Sequence, residues 1–400
     1  MDHLDSAWIV VTVKSPVLWQ RALDEVWALN PPRRYVIEAS SLKYVENAVE
    51  DVSELRGSSR YKPLQAGTNL SSARILVERQ RDRGIGDLLF MTGPLSYLRH
   101  VSGKTCRLYV YALSDRAPVL LHSPHLQAGG ALVGPVAYDE LENYNFHWFV
   151  DSVTECNSLA EQRNVYDELY TQLGLDPAVV PASFKRPNLT LTDDDKKAAD
   201  GVYYTIWRTT QLNLRTTDYV TVAPLSHSSL RSLNYSAWLS LIHELSKLRP
   251  VVVVGRAIGA LPFTDMPFGE FNTALSQLGP SVINLLGSYS PYRTTAALIA
   301  NSRALVALDS GLLFTAQALR TPAVSIWGPL DPALRLGYDE EYMKLALWNK
   351  PACRQSPCYA YAGFPVEKCP TQFAPRTVCE CLTTVSNDAV LSLIEPLCTT

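Results

Sequence analysis

One segment constrains the architecture more than any other. Ala304-Leu305-Val306-Ala307-Leu308 is short and wholly apolar, the signature of a strand buried on both faces. Asp309-Ser310-Gly311 follows, small and flexible. Leu312-Leu313-Phe314-Thr315-Ala316-Gln317-Ala318-Leu319 then reads as a helix, and Ala323-Val324-Ser325-Ile326-Trp327 as a second buried strand. Gly328-Pro329-Leu330-Asp331-Pro332 makes the next turn. Strand, turn, helix, strand and turn form the building block of a doubly wound sheet. The turn into the helix has chemical meaning. The first N–H groups of a helix lack intrahelical acceptors, so such a turn is an anion site, and phosphate is the anion it most often takes.

The same alternation spans the second half of the chain. Tyr219-Val220-Thr221-Val222 opens it as a strand, followed by a helix over 236–248, a strand over 251–255, a helix around 271–278, a short strand over 282–286 and a helix over 291–301. This pattern predicts a parallel sheet covered on both faces. Residues 213–400 are therefore read as one Rossmann-like domain with a cysteine-rich tail. Residues 71–212 are read as another: a strand over 74–78, a helix over 88–100, strands over 107–113, 118–121, 131–136 and 146–150, and helices over 164–173 and 196–207. Thr192-Asp193-Asp194-Asp195 marks the start of the last helix. Residues 1–70 read as a small α/β extension, with strands over 8–13 and 34–38 and helices over 16–29 and 42–55. A chain of 400 residues, 47% apolar, suffices for two ordinary domains.

Charge and apolar runs exclude some function classes. A net charge of −3 gives no global basic field for nucleic acid or an anionic membrane. Local basic segments are residues 74–83, with four arginines, and Lys185-Arg186. Met1-Asp2-His3-Leu4-Asp5 is acidic where a secretory leader is basic and then apolar, and runs such as 251–254 are far short of a membrane span. A soluble, cytoplasmic protein is expected. Five of eight cysteines lie between 353 and 381, as Cys353, Cys358, Cys369, Cys379 and Cys381. Their spacing matches no zinc knuckle well, which leaves a structural role, a zinc site or a redox pair open.

Two further segments carry candidate chemistry. Gly84-Ile85-Gly86-Asp87 follows the strand over 74–78. Its glycines permit positive φ and close backbone approach. Asp87 falls in the first helical turn, either to satisfy free N–H groups or to act as a general base aimed into a cleft. The third glycine of a G-x-G-x-x-G fingerprint is replaced by Leu89. Ala223-Pro224-Leu225-Ser226-His227-Ser228-Ser229-Leu230-Arg231 is rich in hydroxyls and ends in a cation. It is either a solvated loop or a phosphate pocket with Arg231 as a bidentate donor. Both it and Asp309-Ser310-Gly311 leave the carboxyl edge of one sheet, where ligands of open α/β folds bind.

Taken in order, these segments resemble the heptosyltransferase-like glycosyltransferases of glycosyltransferase family 9. The resemblance rests on residues 84–87, on Arg231 followed by Trp238, on the strand and Asp-Ser-Gly of 304–311, on the Ala-containing helix of 315–319 and on the strand and turn of 326–332. Ser356-Pro357-Cys358, Cys369-Pro370 and Cys379 add a C-terminal pattern, and the match covers about residues 71–395.

The resemblance implies the GT-B fold, two Rossmann-like domains with parallel sheets facing an interdomain cleft. It implies an inverting transfer of a sugar from a nucleotide-diphosphate sugar, without a metal or a bound cofactor. Asp87 would be the base, and Gly84 and Gly86 would shape the acceptor-side loop. Arg231, beside Ser226, would neutralise the departing diphosphate. Asp309, Ser310, Gly311 and Leu312 would hold the diphosphate and sugar. The family's histidine three residues after the glycine is here Phe314, which cannot donate a hydrogen bond, so an ADP-heptose donor does not carry over. The acceptor implied is a bacterial surface saccharide. Alternative readings are a phage-type enzyme acting on hydroxymethylated bases in DNA, a non-catalytic nucleotide-sugar-binding protein, and a nucleotide-sugar epimerase of the same fold.

Overall fold

The computed structural model describes residues 8–13, 34–39, 42–44, 70–79, 84–112, 117–127, 130–133, 146–150, 163–226, 231–256, 265–287, 291–348, 380–383 and 385–399. Its strands form three sheets. In the first, β1 (Trp8–Val13) runs parallel to β2 (Arg34–Ala39), and β3 (Leu42–Tyr44) returns antiparallel. The helix expected from Leu42 therefore begins as a strand. Only Ser40 and Ser41 separate β2 from β3, and so short a connection turns the chain back onto its neighbour, where pairing overrides local propensity. Residues 45–55 and 16–29 lie outside the described residues.

The second sheet contains β4 (Arg74–Arg79), followed by α1 (Ile85–Val101), then β5 (Arg107–Ala112), β6 (Ala131–Val133) and β7 (Phe146–Val150). All pairs are parallel, in the order β6-β5-β4-β7. The strand expected over 118–121 is instead a single 3-10 turn, Ala117–Val119. Pro118 at its centre has no N–H to give to a ladder. Two helices lead out of this half. α2 (Val165–Gln172) is capped by Asn164, which accepts from the Tyr166 N–H at 3.0 Å. α3 (Asp193–Thr210) opens on a capping box between Thr192 and Asp195, as the sequence of its first turn indicates.

The third sheet is built from β8 (Val220–Ala223), β9 (Val251–Val253), β10 (Val282–Asn284), β11 (Ala304–Leu308), β12 (Ala323–Trp327) and β13 (Ala346–Trp348). Between them run α4 (Tyr235–Leu248), α5 (Phe268–Ser276), α6 (Tyr292–Ala300), α7 (Gly311–Leu319), α8 (Ala333–Leu336) and α9 (Glu340–Lys344). α10 (Glu380–Thr383) and α11 (Asn387–Thr399) close the chain. Every pair is parallel, and the order β10-β9-β8-β11-β12-β13 reverses direction between β8 and β11. That reversal is the topological switch point of a doubly wound sheet.

One face of the third sheet packs under α4, α5 and α11, burying Trp238, Phe271, Val306 and Ile394. The other face belongs to a larger cluster that runs through both halves of the chain. It joins Ile75, Leu89 and Leu108 to Val252, Leu305 and Phe314. α3 lies against α6, where the Tyr203 and Tyr219 hydroxyls meet at 2.8 Å and Asn301 Nδ2 donates to the Tyr203 hydroxyl at 3.1 Å. Among the described residues, no helix is long and apolar enough to cross a membrane.

Candidate active site

The register of the third sheet sets the site. Ala304 pairs with Val220 and Ala307 with Ala223, so β8 and β11 end at one level and their following segments leave the same edge. Their connections diverge at the switch point and open a crevice there. Arg231 reaches into it. Its Nη1 donates to the Asp309 carbonyl oxygen at 3.0 Å and lies 3.6 Å from Asp309 Oδ2. Asp309 is 4% exposed, so its charge needs this cation close by. Two residues 78 positions apart, each singled out from the sequence, thus form one unit.

Ser310 stands at the N-cap of α7, but its side chain makes no capping bond, and its buried Oγ has no hydrogen-bond partner. The Gly311 and Leu312 N–H groups at the helix start are therefore not capped by it. Ser226 is buried beside the end of β8, and Leu312 packs part-buried on the core.

The acceptor-side loop meets this turn directly. Gly84 is the N-cap of α1, and Asp87 lies in the helix's first turn, partly exposed. A Cβ added at Gly86 would fall 3.0 Å from Phe314 Cδ2 and 3.5 Å from Gly311 Cα. One added at Gly311 would fall 3.1 Å from both the Gly86 nitrogen and Ile85 Cβ. None of the three glycines has positive φ, and Gly84 is extended at φ −164°. The positive φ that these glycines permit is thus not used. Close backbone approach, not turn geometry, is what requires glycine at 86 and 311.

Phe314 is buried, with its ring centroid 4.5 Å from that of Phe90, one turn into α1. The Arg335 guanidinium lies 5.6 Å from the Phe90 ring centroid. The sequence reading singled out neither Phe90 nor Arg335. Their pairing depends on the contact between the two halves, which no local pattern encodes.

Further ties cross between the halves. Asn164 Nδ2 donates to the Ala333 carbonyl at 2.8 Å, and the Tyr338 hydroxyl donates to Asp167 Oδ2 at 2.6 Å. Lys185 is not part of a surface basic patch. It is buried, with Nζ 2.7 Å from Asp167 Oδ1 and 4.1 Å from the Tyr338 ring centroid. His227, Arg81, Arg83, Cys353, Cys358, Cys369 and Cys379 lie outside the described residues, while Cys381 is buried. Among the described residues, no three His, Cys, Asp or Glu side chains converge as a metal site.

Residues 275–360 match the model of glycosyltransferase family 9 (heptosyltransferase). No curated protein matches the chain by sequence. Three similar solved structures define the fold. The iron-containing dodecameric glycosyltransferase TibC from enterotoxigenic E. coli has a TM-score of 0.57 at 18% identity, over 82% of this chain and 77% of that one. ADP-heptose LPS heptosyltransferase II from E. coli has 0.55 at 16%, over 82% and 98%. A family 9 glycosyl transferase from Veillonella parvula has 0.59 at 14%, over 83% and 99%. The fold is accordingly the α/β GT-B arrangement of the heptosyltransferases. The stretch that matches the family model, from the end of α5 past β13, contains the segments 304–311, 315–319 and 326–332 of the resemblance, and residues 84–87 and 231–238 lie outside it.

Proposed function

We propose that the protein is an inverting, metal-independent glycosyltransferase that moves a sugar from a nucleotide-diphosphate sugar to an acceptor hydroxyl on a bacterial surface saccharide. The observation that carries this reading is Arg231 held on Asp309 at the switch point, beside the helix start that bears Asp87. A leaving diphosphate gains negative charge as the glycosidic bond breaks. Donors already in place bind it more strongly in the transition state than in the ground state. The Gly311 and Leu312 N–H groups and the Arg231 guanidinium are such donors. Asp309 contributes differently from the sequence expectation. A carboxylate repels phosphate, so its part is to orient Arg231, while the α7 backbone contacts the diphosphate. Asp87, in the first turn of α1 on the other half, would take the proton of an acceptor hydroxyl. A base on one side and a leaving group on the other suit a single displacement with inversion.

One of the similar structures is named for ADP-heptose, which makes that sugar nucleotide the first donor to test. Phe314 stands where the family's histidine is expected, so related nucleotide sugars belong in the same panel. A DNA acceptor requires a basic groove, and Lys185 is committed to Asp167 instead. Thermal denaturation with a panel of nucleotide sugars, followed by turnover assays with and without chelator, tests the reading. A donor at about 100 times its Kd adds roughly 2.7 kcal/mol of stability. Absence of any shift across the panel would sink the proposal. Donor conversion without an acceptor would replace it with an epimerase.

A further inference from the structure

We propose that Phe314 is a positioning residue for Asp87, acting from the opposite half of the molecule. The inference rests on the glycosyltransferase reading above, and three observations support it. The Phe314 ring comes within 3.0 Å of where a Gly86 Cβ would stand, so it touches the backbone immediately before Asp87. It packs on Phe90 at 4.5 Å between centroids, gripping the same helix one turn further on. It is 4% exposed and rooted in α7, whose N-terminus is the donor-side turn. Phe314 therefore packs on α1 just behind the direct contact of Gly86 with Gly311, as an apolar wedge under the first turn and not as part of the donor pocket. Its two contacts lie either side of Asp87 along α1 and fix the first turn in translation and rotation. An aliphatic or aromatic side chain can do this.

Geometry at a base is demanding, because a displacement of about 1 Å can cost on the order of 100-fold in rate. The variants Phe314→Ala and Phe314→Leu separate positioning from donor binding. Turnover, donor KM, donor Kd by calorimetry, and amide hydrogen exchange are measured on the full chain. With Phe314→Ala, turnover is expected to fall roughly 10- to 100-fold while donor Kd stays within about twofold. Exchange should quicken at Leu89 and Phe90, whose N–H groups a helix beginning at Ile85 bonds to the carbonyls of Ile85 and Gly86. Phe314→Leu keeps an apolar wedge and should recover most of the turnover. It also serves as the test variant if the alanine protein fails to fold. A donor Kd that weakens in step with turnover would place Phe314 in the donor pocket and overturn the proposal. Unchanged exchange at Leu89 and Phe90 in both variants would overturn it as well. If the unaltered protein transfers no sugar, the functional reading fails, and the exchange result still decides whether Phe314 holds the Asp87 turn.

Discussion

Arg293 and Asp195 meet fork to fork: Nε donates to Oδ1 at 2.9 Å and Nη2 to Oδ2 at 2.7 Å. Nη1 donates to the carbonyls of Pro118 and Leu121 at 3.0 and 2.9 Å, and Nη2 also donates to that of Thr190. All five guanidinium N–H groups are thereby used. Arg293 is 7% exposed, and it ties α6 to the start of α3 and to the 3-10 turn of the first half. Removing one partner of a buried pair leaves the other charge uncompensated, at about 3–5 kcal/mol. Arg293→Met is expected to lower stability by roughly that amount in urea denaturation, and a loss within 0.5 kcal/mol, as at an ordinary surface site, would refute it.

The same pair makes stability depend on acid. Hydrogen bonds from Arg293, helped by the Thr192 N–H and hydroxyl, hold the Asp195 carboxyl well below the usual carboxylate range. A folded-state value below the unfolded one stabilises the protein fully above about pH 4, and the effect is lost as pH falls toward the depressed value. Between about pH 5 and about pH 2.5 the unaltered protein should therefore lose more stability than Arg293→Met. Parallel curves for the two proteins would show that the pair does not titrate as described.

Asp87→Asn keeps the size of the side chain and removes its basicity. Turnover is expected to fall by about 100-fold or more, with donor Kd nearly unchanged, as read from initial rates and calorimetry. Full activity in this variant would remove Asp87 from the base role.

Arg231 and Asp309 should fail together. Arg231→Met removes a donor to the diphosphate, and a loss of about 100-fold in turnover is expected. Arg231→Lys keeps the charge without the planar fork and should recover only part of it. Asp309→Asn should weaken donor affinity through the freed arginine, measurable by nucleotide titration. Donor affinity unaffected by Asp309→Asn would contradict an orienting role.

Glycine-to-alanine changes should have opposite signs at two helical sites. At Gly311 the new methyl would stand 3.1 Å from backbone nitrogen and Ile85 Cβ, which cannot give way cheaply. Gly311→Ala should therefore lower both the melting temperature and turnover. Gly201, inside α3, has nothing within 4 Å of its added Cβ and is exposed. Gly201→Ala should add about 0.8–1 kcal/mol from helix propensity alone.

Much of this was legible in the sequence because it is local. The strand and turn of 304–311, the capping residues Thr192 and Asp195, and the strands of the parallel sheets all follow from periodicity and end chemistry. β3 and the turn at Ala117–Val119 were not legible, because pairing with a neighbour and a single proline decided them. Arg231 and Asp309 were each visible, but not as partners, since only the strand order brings β8 beside β11. Arg293 gave no signal at all. On paper it is one polar residue in an Ala-rich helix, and its five acceptors come from segments 98 to 175 positions away. Phe314 appeared first as a missing histidine. Its contact with Gly86 and Phe90 exists only once the halves have docked.

The cluster that joins Ile75 and Leu89 to Leu305 and Phe314 bears on how the chain can be cut. A fragment ending in the linker before β8 would carry off half of a shared interior and expose it to water. Neither fragment is expected to be a folding unit in its own right. Co-expression of the two pieces, with reassembly as the readout, is the form in which a split version of this protein should recover.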